Sequence, residues 1–168
     1  MFPINLKIEL ENEDIKVLRK YVKTIEEPNC YVEIGTGEGG SSLIARTATD
    51  RPIYTIDKAD KFILSDCGLE INFINKTSEE ALKDWKEPIG VLFIDGHHNE
   101  AYQDFLFWGK YVVKGGYVLF HDYFTSGAEE YTVIKDCEPI LSNPNYEKLY
   151  IPNFPTVDKT RILVIRKL

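Results

Sequence analysis

"GVLFID" at residues 90–95 and "YVLFHD" at 117–122 are unbroken apolar runs, each closed by an acid. A strand with no polar side needs cover on both faces, and a parallel sheet sandwiched between helices provides it. The segment between the two runs meets that demand. Ala101, Phe105, Trp108 and Val112 recur at helical spacing, and Gly115 and Gly116 end the helix. The same alternation runs back towards the start of the chain. Asn12 can cap a helix whose first turn carries Glu13 and Asp14, with Ile15, Leu18, Val22 and Ile25 on one stripe and Pro28–Asn29 as its stop. "CYVEI", "IYTID" and "EINFIN" read as strands, with "SSLIARTA" and "SEEALKDW" as helices after the first and the third. Residues 127–142 read as helical, and "NYEKLYI" and "RILVIRK" as two closing strands. The expected fold is α/β: a doubly wound, mainly parallel seven-stranded sheet with helices on both faces and a C-terminal antiparallel strand. With 168 residues and no Pro/Gly/Ser-rich linker, the chain reads as one domain, with an N-terminal helical segment (1–28) and a core (29–168).

Ligands of such sheets bind beyond the carboxyl ends of the strands. Here those ends carry Glu33 with a glycine bend, Asp57, "NKTS", "DGHH" and "HDY". Gly35, Gly37 and Gly40 match the G-x-G-x-x-G spacing of a dinucleotide-binding turn, a pattern that serves many ligands and also occurs as a plain tight turn. Ser41 can cap the helix that follows. Charge discriminates better than spacing. A pyrophosphate wants helix N–H groups and no neighbouring carboxylate, whereas Glu33 immediately precedes this bend and Glu38 lies inside it. A cofactor carrying positive charge suits the two acids. S-adenosylmethionine has that distribution: an ammonium, a sulfonium, a ribose diol, an adenine and a single carboxylate.

Composition narrows the partners. A formal charge of −7, with no Lys/Arg cluster longer than a dipeptide, argues against nucleic acid and against a membrane surface. No run of about 18 apolar residues and no leader pattern is present, so a cytoplasmic protein is expected. Cys30, Cys67 and Cys137 are odd in number and widely spaced, which suits buried thiols in a reducing compartment rather than disulfides or a zinc knuckle.

"VEIGTGEGGSS", Asp57 closing the second strand, and "VLFIDGHH…GGYVLFHDY" resemble the class I, Rossmann-like S-adenosylmethionine-dependent methyltransferases. Within them the chain is most similar to the small-molecule O-methyltransferases with an "IDGxH" motif, over residues 31–57 and 91–123. The resemblance implies that Gly35, Thr36, Gly37 and Ser41 lie along the methionine half of the cofactor, with Glu33 fixing its ammonium directly or through water. It implies that Asp57 holds both ribose hydroxyls, that Thr77 and Ser78 meet the adenine edge, and that Asp95 and His98 floor the reacting methyl. His97 stands where this family often has an acid. Thr77 and Ser78 read equally well as the cap of the following helix. Trp85, Phe105 and Trp108 read as core, and Tyr102 fits either cofactor or solvent.

Methyl transfer to a hydroxyl needs an aligned acceptor and a proton sink. His98 and His121 are the candidate catalytic bases, because an ordinary imidazole titrates near neutrality. Asp95, His121 and Asp122 end neighbouring strands and could converge on Mg2+ or another divalent cation, or could simply cap loops beside a hydrogen-bonded histidine. The expected partner is a small-molecule methyl acceptor, its pocket shaped by residues 123–135 and the N-terminal helix, and a homo-oligomer is compatible with the sequence. Two other readings keep the same fold: an NAD-dependent oxidoreductase, against which the acids of the bend count, and a non-catalytic nucleoside-binding module.

Overall fold

The computed structural model describes residues 8, 10–58, 68–123, 139–150 and 160–168, apart from the His98 side chain. In chain order the elements are α1 (Asn12–Val22), β1 (Cys30–Ile34), α2 (Gly40–Arg46), β2 (Ile53–Asp57), β3 (Asn72–Asn75), α3 (Ser78–Ala81), β4 (Ile89–Ile94), α4 (Ala101–Trp108), β5 (Val112–Phe120), β6 (Tyr146–Tyr150) and β7 (Leu163–Lys167). They build one seven-stranded sheet in the order β3-β2-β1-β4-β5-β7-β6. The pairs β3–β2, β2–β1, β1–β4 and β4–β5 are parallel, while β7 runs antiparallel to both β5 and β6.

Strand periodicity sorts the core into two layers. Val32, Ile34, Leu92, Ile94, Val118 and Phe120 face one way, where Phe105 and Trp108 of α4 and Trp85 cover them. Tyr31, Val91, Phe93, Leu119 and Val164 face the other way, against Leu18 and Val22 of α1 and Ile44 and Ala45 of α2. The apolar runs are continuous because each of these strands feeds both layers. Trp85, Phe105 and Trp108 are core residues, as expected, and Tyr102 packs half-buried against the same layer.

Four local expectations change. The N-cap of α1 is Glu11, not Asn12, because Asp14 at the third helical position accepts the Glu11 N–H at 3.2 Å. Helix α2 begins at Gly40 behind Gly39, whose φ of 92° no serine would favour, so Ser41 lies within the helix instead of capping it. Helix α4 stops at Trp108, and Val112 already belongs to β5. Gly115 and Gly116 therefore lie inside a strand, where pairing with β4 shifts register between Ile89 and Val91. A Cβ on Gly116 would come within 2.9 Å of the Gly90 carbonyl oxygen, which explains the glycine without a helix end. Of the helix expected over 127–142, only 139–142 fall among the described residues; 139–141 are helical and 142 is a turn. Cys67, Cys137 and Ile151 lie outside the described residues. No described helix is long and apolar enough to cross a membrane.

Candidate cofactor crevice and acidic cluster

Beyond β1 the chain turns through Gly35, whose φ is 91°. A Cβ there would sit 2.3 Å from the Asp95 carbonyl oxygen, so the close crossing of the β1 and β4 ends demands glycine. The bend is fixed from β2. Asp57 Oδ2 accepts the amides of Thr36 at 2.9 Å and Gly37 at 3.0 Å. The Thr36 and Thr55 hydroxyls lie 2.6 Å apart, and Thr55 donates to Glu33 Oε2 at 2.8 Å. Ser42 donates to the same oxygen. Together these bonds shape a crevice lined by Gly35, Thr36, Gly37, Ser41 and Asp95, with Glu38 at the bend and Leu10 from the N-terminal segment.

Glu33 lies behind this wall, fully buried, and its Oε1 has no hydrogen-bond partner. Burial pushes its carboxyl up to about 7 against the opposing pull of the Ser41, Ser42 and Thr55 hydroxyls. A cation brought close would return it to the ionised form. The side chain is thus set one layer deeper than a wall residue, and Ser41 stands on the wall itself.

At the far side, both hydroxyls expected at the adenine edge already have partners. Thr77 caps α3, accepting the Glu80 amide at 3.2 Å while its own amide donates to the Glu80 carboxylate at 3.0 Å. Ser78 accepts the Trp108 indole N–H at 2.8 Å, tying α3 to α4. Asp104, which no sequence pattern singled out, is buried in the first turn of α4, and burial pushes its carboxyl up to about 6. His97 is exposed and precedes the short 3-10 turn His98–Glu100.

The ends of β4 and β5 bring Asp95, His121 and Asp122 together, as their positions predict, with one ligand atom from each lying within 4.8 Å of the others. His121 is 5% exposed. Its Nδ1 lies 2.8 Å from Asp95 Oδ1 and 3.5 Å from Asp122 Oδ2, and its Nε2 faces Asp14 Oδ2 at 3.5 Å. Burial opposes charge on the ring, but Asp14, Asp95 and Asp122 outweigh it and push the imidazole up to about 10. Both nitrogens face carboxylates and the ring stays protonated at neutral pH, so His121 has no lone pair to offer an acceptor's proton. The base role expected of it does not fit its surroundings.

Two further charges complete the cluster, and sequence reading missed both. Asp14 of α1 is fully buried and accepts Thr160 Oγ1 at 2.6 Å, the Arg161 amide at 2.8 Å and Arg161 NH2 at 3.3 Å. Burial raises its carboxyl, yet bonds from His121, Thr160 and Arg161 hold it well below the usual carboxylate range. Arg161 NH1 donates to Asp122 Oδ1 at 2.7 Å. Asp14 looked like a helix-dipole acid, and Arg161 like an unremarkable charge before a strand. Their pairing spans 147 residues and leaves no local pattern.

A divalent ion fits the spacing of Asp95, His121 and Asp122 but not their present bonding. Asp122 already carries a guanidinium and His121 Nδ1 already faces Asp95. Metal binding would have to displace Arg161 and strip a proton from His121. Within this cluster the positive charge beside Asp122 comes from the chain itself, through Arg161.

Strand order 3-2-1-4-5-7-6, a glycine bend beyond β1 and an acid closing β2 define the class I, S-adenosylmethionine-dependent methyltransferase fold. Residues 32–123 match a family described as a methyltransferase domain, and the chain belongs to that family. An uncharacterized protein of Acanthamoeba polyphaga mimivirus is 34% identical over 127 residues, 64% of this chain; the aligned region spans 58% of that relative's length. An O-methyltransferase from Bacillus cereus, solved in complex with S-adenosylhomocysteine, superposes with a TM-score of 0.74 at 15% identity, covering 98% of this chain and 84% of its own. A candidate rRNA methylase from Clostridium thermocellum gives 0.71 at 16% identity, covering 94% and 99%.

Proposed function

We propose that the protein moves the methyl group of S-adenosylmethionine to a hydroxyl of a small molecule. The observation that carries this reading is the fully buried Glu33 carboxyl, held by serine and threonine hydroxyls directly behind a glycine bend clamped by Asp57. A cofactor bearing an ammonium supplies the missing charge, whereas a pyrophosphate would meet Glu33 and Glu38 with repulsion. In this reading Glu33 and Ser41 hold the amino-acid end, and Gly35, Thr36 and Gly37 allow close approach. The Asp57 oxygen not used by the bend takes the ribose diol, and the backbone around Thr77 and Ser78 borders the adenine.

At the methyl end the acceptor oxygen forms the new C–O bond while the C–S pair returns to sulfur, leaving a neutral thioether. The acceptor proton is assigned to His98, the first residue of the short 3-10 turn that follows β4 in the chain. His121 acts one step back, orienting the Asp95 carboxylate at 2.8 Å. The O-methyltransferase relative supports a hydroxyl acceptor, and the rRNA methylase relative raises RNA as the other class. The net charge of −7 favours the small molecule.

The test is direct. S-adenosylmethionine or S-adenosylhomocysteine at about a hundred times its dissociation constant should stabilise the fold by about 2.7 kcal/mol, and NAD should not. Labelled methyl groups should then appear in small-molecule extracts and not in RNA. Equal stabilisation by NAD defeats the cofactor reading, and label in RNA defeats the acceptor reading.

A further inference from the structure

We propose that Arg161 takes the place of a metal ion: its guanidinium gives the Asp95–His121–Asp122 cluster the positive charge that a divalent cation would otherwise bring, and the cluster binds no metal while Arg161 is there. Three features of the geometry carry this. Arg161 NH1 meets Asp122 Oδ1 at 2.7 Å, a short charge-assisted bond. Arg161 is also pinned at its root. Its amide donates to Asp14 Oδ1 at 2.8 Å, its NH2 lies 3.3 Å from Asp14 Oδ2, and its carbonyl accepts the Tyr123 amide at 3.0 Å. The Arg161 backbone is thus fixed to the residue immediately after Asp122, which holds the guanidinium beside that acid. Finally, Asp122 itself adopts a left-handed φ of 49°, a conformation that L residues other than glycine rarely hold without a reason. In that conformation its two oxygens divide between Arg161 and His121.

Among the described residues, the charges facing the cluster are the carboxylates of Asp14, Asp95 and Asp122, with Glu11 Oε1 at the rim 4.0 Å from Arg161 Nε, against Arg161 and the His121 ring. A guanidinium keeps its charge at every working pH. A dication entering here would meet that charge directly, with the carboxylate oxygen nearest Arg161 already taken. Arg161 is accordingly a positioning residue, and Asp14 is the buried anchor that keeps it in place. The inference concerns the charge balance of the cluster. It rests on the methyl-transfer reading only for its consequence in turnover.

Mn2+ is the probe, with uptake read from the loss of the free-ion electron paramagnetic resonance signal. The quantity compared is the uptake that Asp122→Asn removes from each protein. Wild type should show none, Arg161→Gln should gain stoichiometric uptake, and Arg161→Lys, which restores a cation, should lose it again. Uptake by wild type that Asp122→Asn abolishes would overturn the proposal, as would a folded Arg161→Gln protein that gains none. Should Arg161→Gln fail to fold, Arg161→Met takes its place as the variant that must gain uptake, and wild-type uptake that Asp122→Asn abolishes still overturns the proposal. Because Mn2+ uptake needs no acceptor or cofactor, a failure here is distinguishable from a failure of the methyl-transfer reading.

Discussion

Asp57 and Gly37 are joined by a 3.0 Å hydrogen bond from the glycine amide to Asp57 Oδ2, so the end of β2 sets the shape of the bend that follows β1. One carboxylate thereby serves two purposes. Its Oδ2 takes the Thr36 and Gly37 amides together, and in the proposed function the other oxygen takes the ribose diol. Asp57→Ala should cost on the order of 2–3 kcal/mol of S-adenosylmethionine affinity, through lost charged hydrogen bonds and a slackened bend. Asp57→Asn, which keeps one acceptor oxygen, should lose less. Titration calorimetry on the folded variants checks both, and unchanged affinity would place the ribose elsewhere.

Glu33 gives a pH dependence with a definite sign. Its folded carboxyl sits near 7, above its unfolded value of 4.5, so the native state holds the extra proton between those limits. Stability from this group should therefore fall as pH rises from about 4.5 to 7, by on the order of 3 kcal/mol. Glu33→Gln should flatten that part of the curve. Cofactor affinity should run the other way, rising towards and past pH 7 as the carboxylate ionises, and the variant should lose the dependence. Denaturation midpoints and calorimetric affinities over this window test the pair.

Removing Asp14 should be severe. Asp14→Asn leaves Arg161 and His121 facing a neutral amide in a buried site, and should destabilise the fold by about 3–5 kcal/mol. Urea denaturation at neutral pH measures it. A cost near zero would mean that solvent reaches the cluster and screens it.

At the opposite end of the sheet, Lys167 Nζ donates to the carbonyls of Gly109, Lys110 and Val112 at 3.1, 3.2 and 2.8 Å. These carbonyls lie where α4 gives way to β5, and the Gly109 oxygen also accepts the Val112 amide and the Tyr146 hydroxyl. Lys167→Met should cost about 1–3 kcal/mol of stability and leave cofactor affinity untouched. Denaturation and calorimetry on the same variant separate the two effects.

The strands and the residues at their ends are legible because the signals are local: "GVLFID" and "YVLFHD" advertise two-faced burial, and Asp95 directly follows the first apolar run as His121 and Asp122 follow the second. Gly115–Gly116 misled because glycine punctuates helices and strands alike, and only the close approach to Gly90 tells them apart. The depth of Glu33 is not legible, because sequence gives the strand end but not how far a side chain sits behind the serines of α2. The Asp14–Arg161–Asp122 set stayed hidden for a different reason. Its members lie on three segments far apart in sequence, and each alone has an ordinary surface explanation.

That separation sets an order of assembly. The bend, its clamp and the carboxylate behind it all come from residues 33–57, whereas the charge balance at the acceptor end waits for Arg161. On a growing chain the contacts that shape the cofactor's seat are available early. Until Arg161 emerges from the ribosome, Asp14 and Asp122 lack their guanidinium, and a ribosome stalled before that point holds a nascent chain whose acidic cluster is still unbalanced.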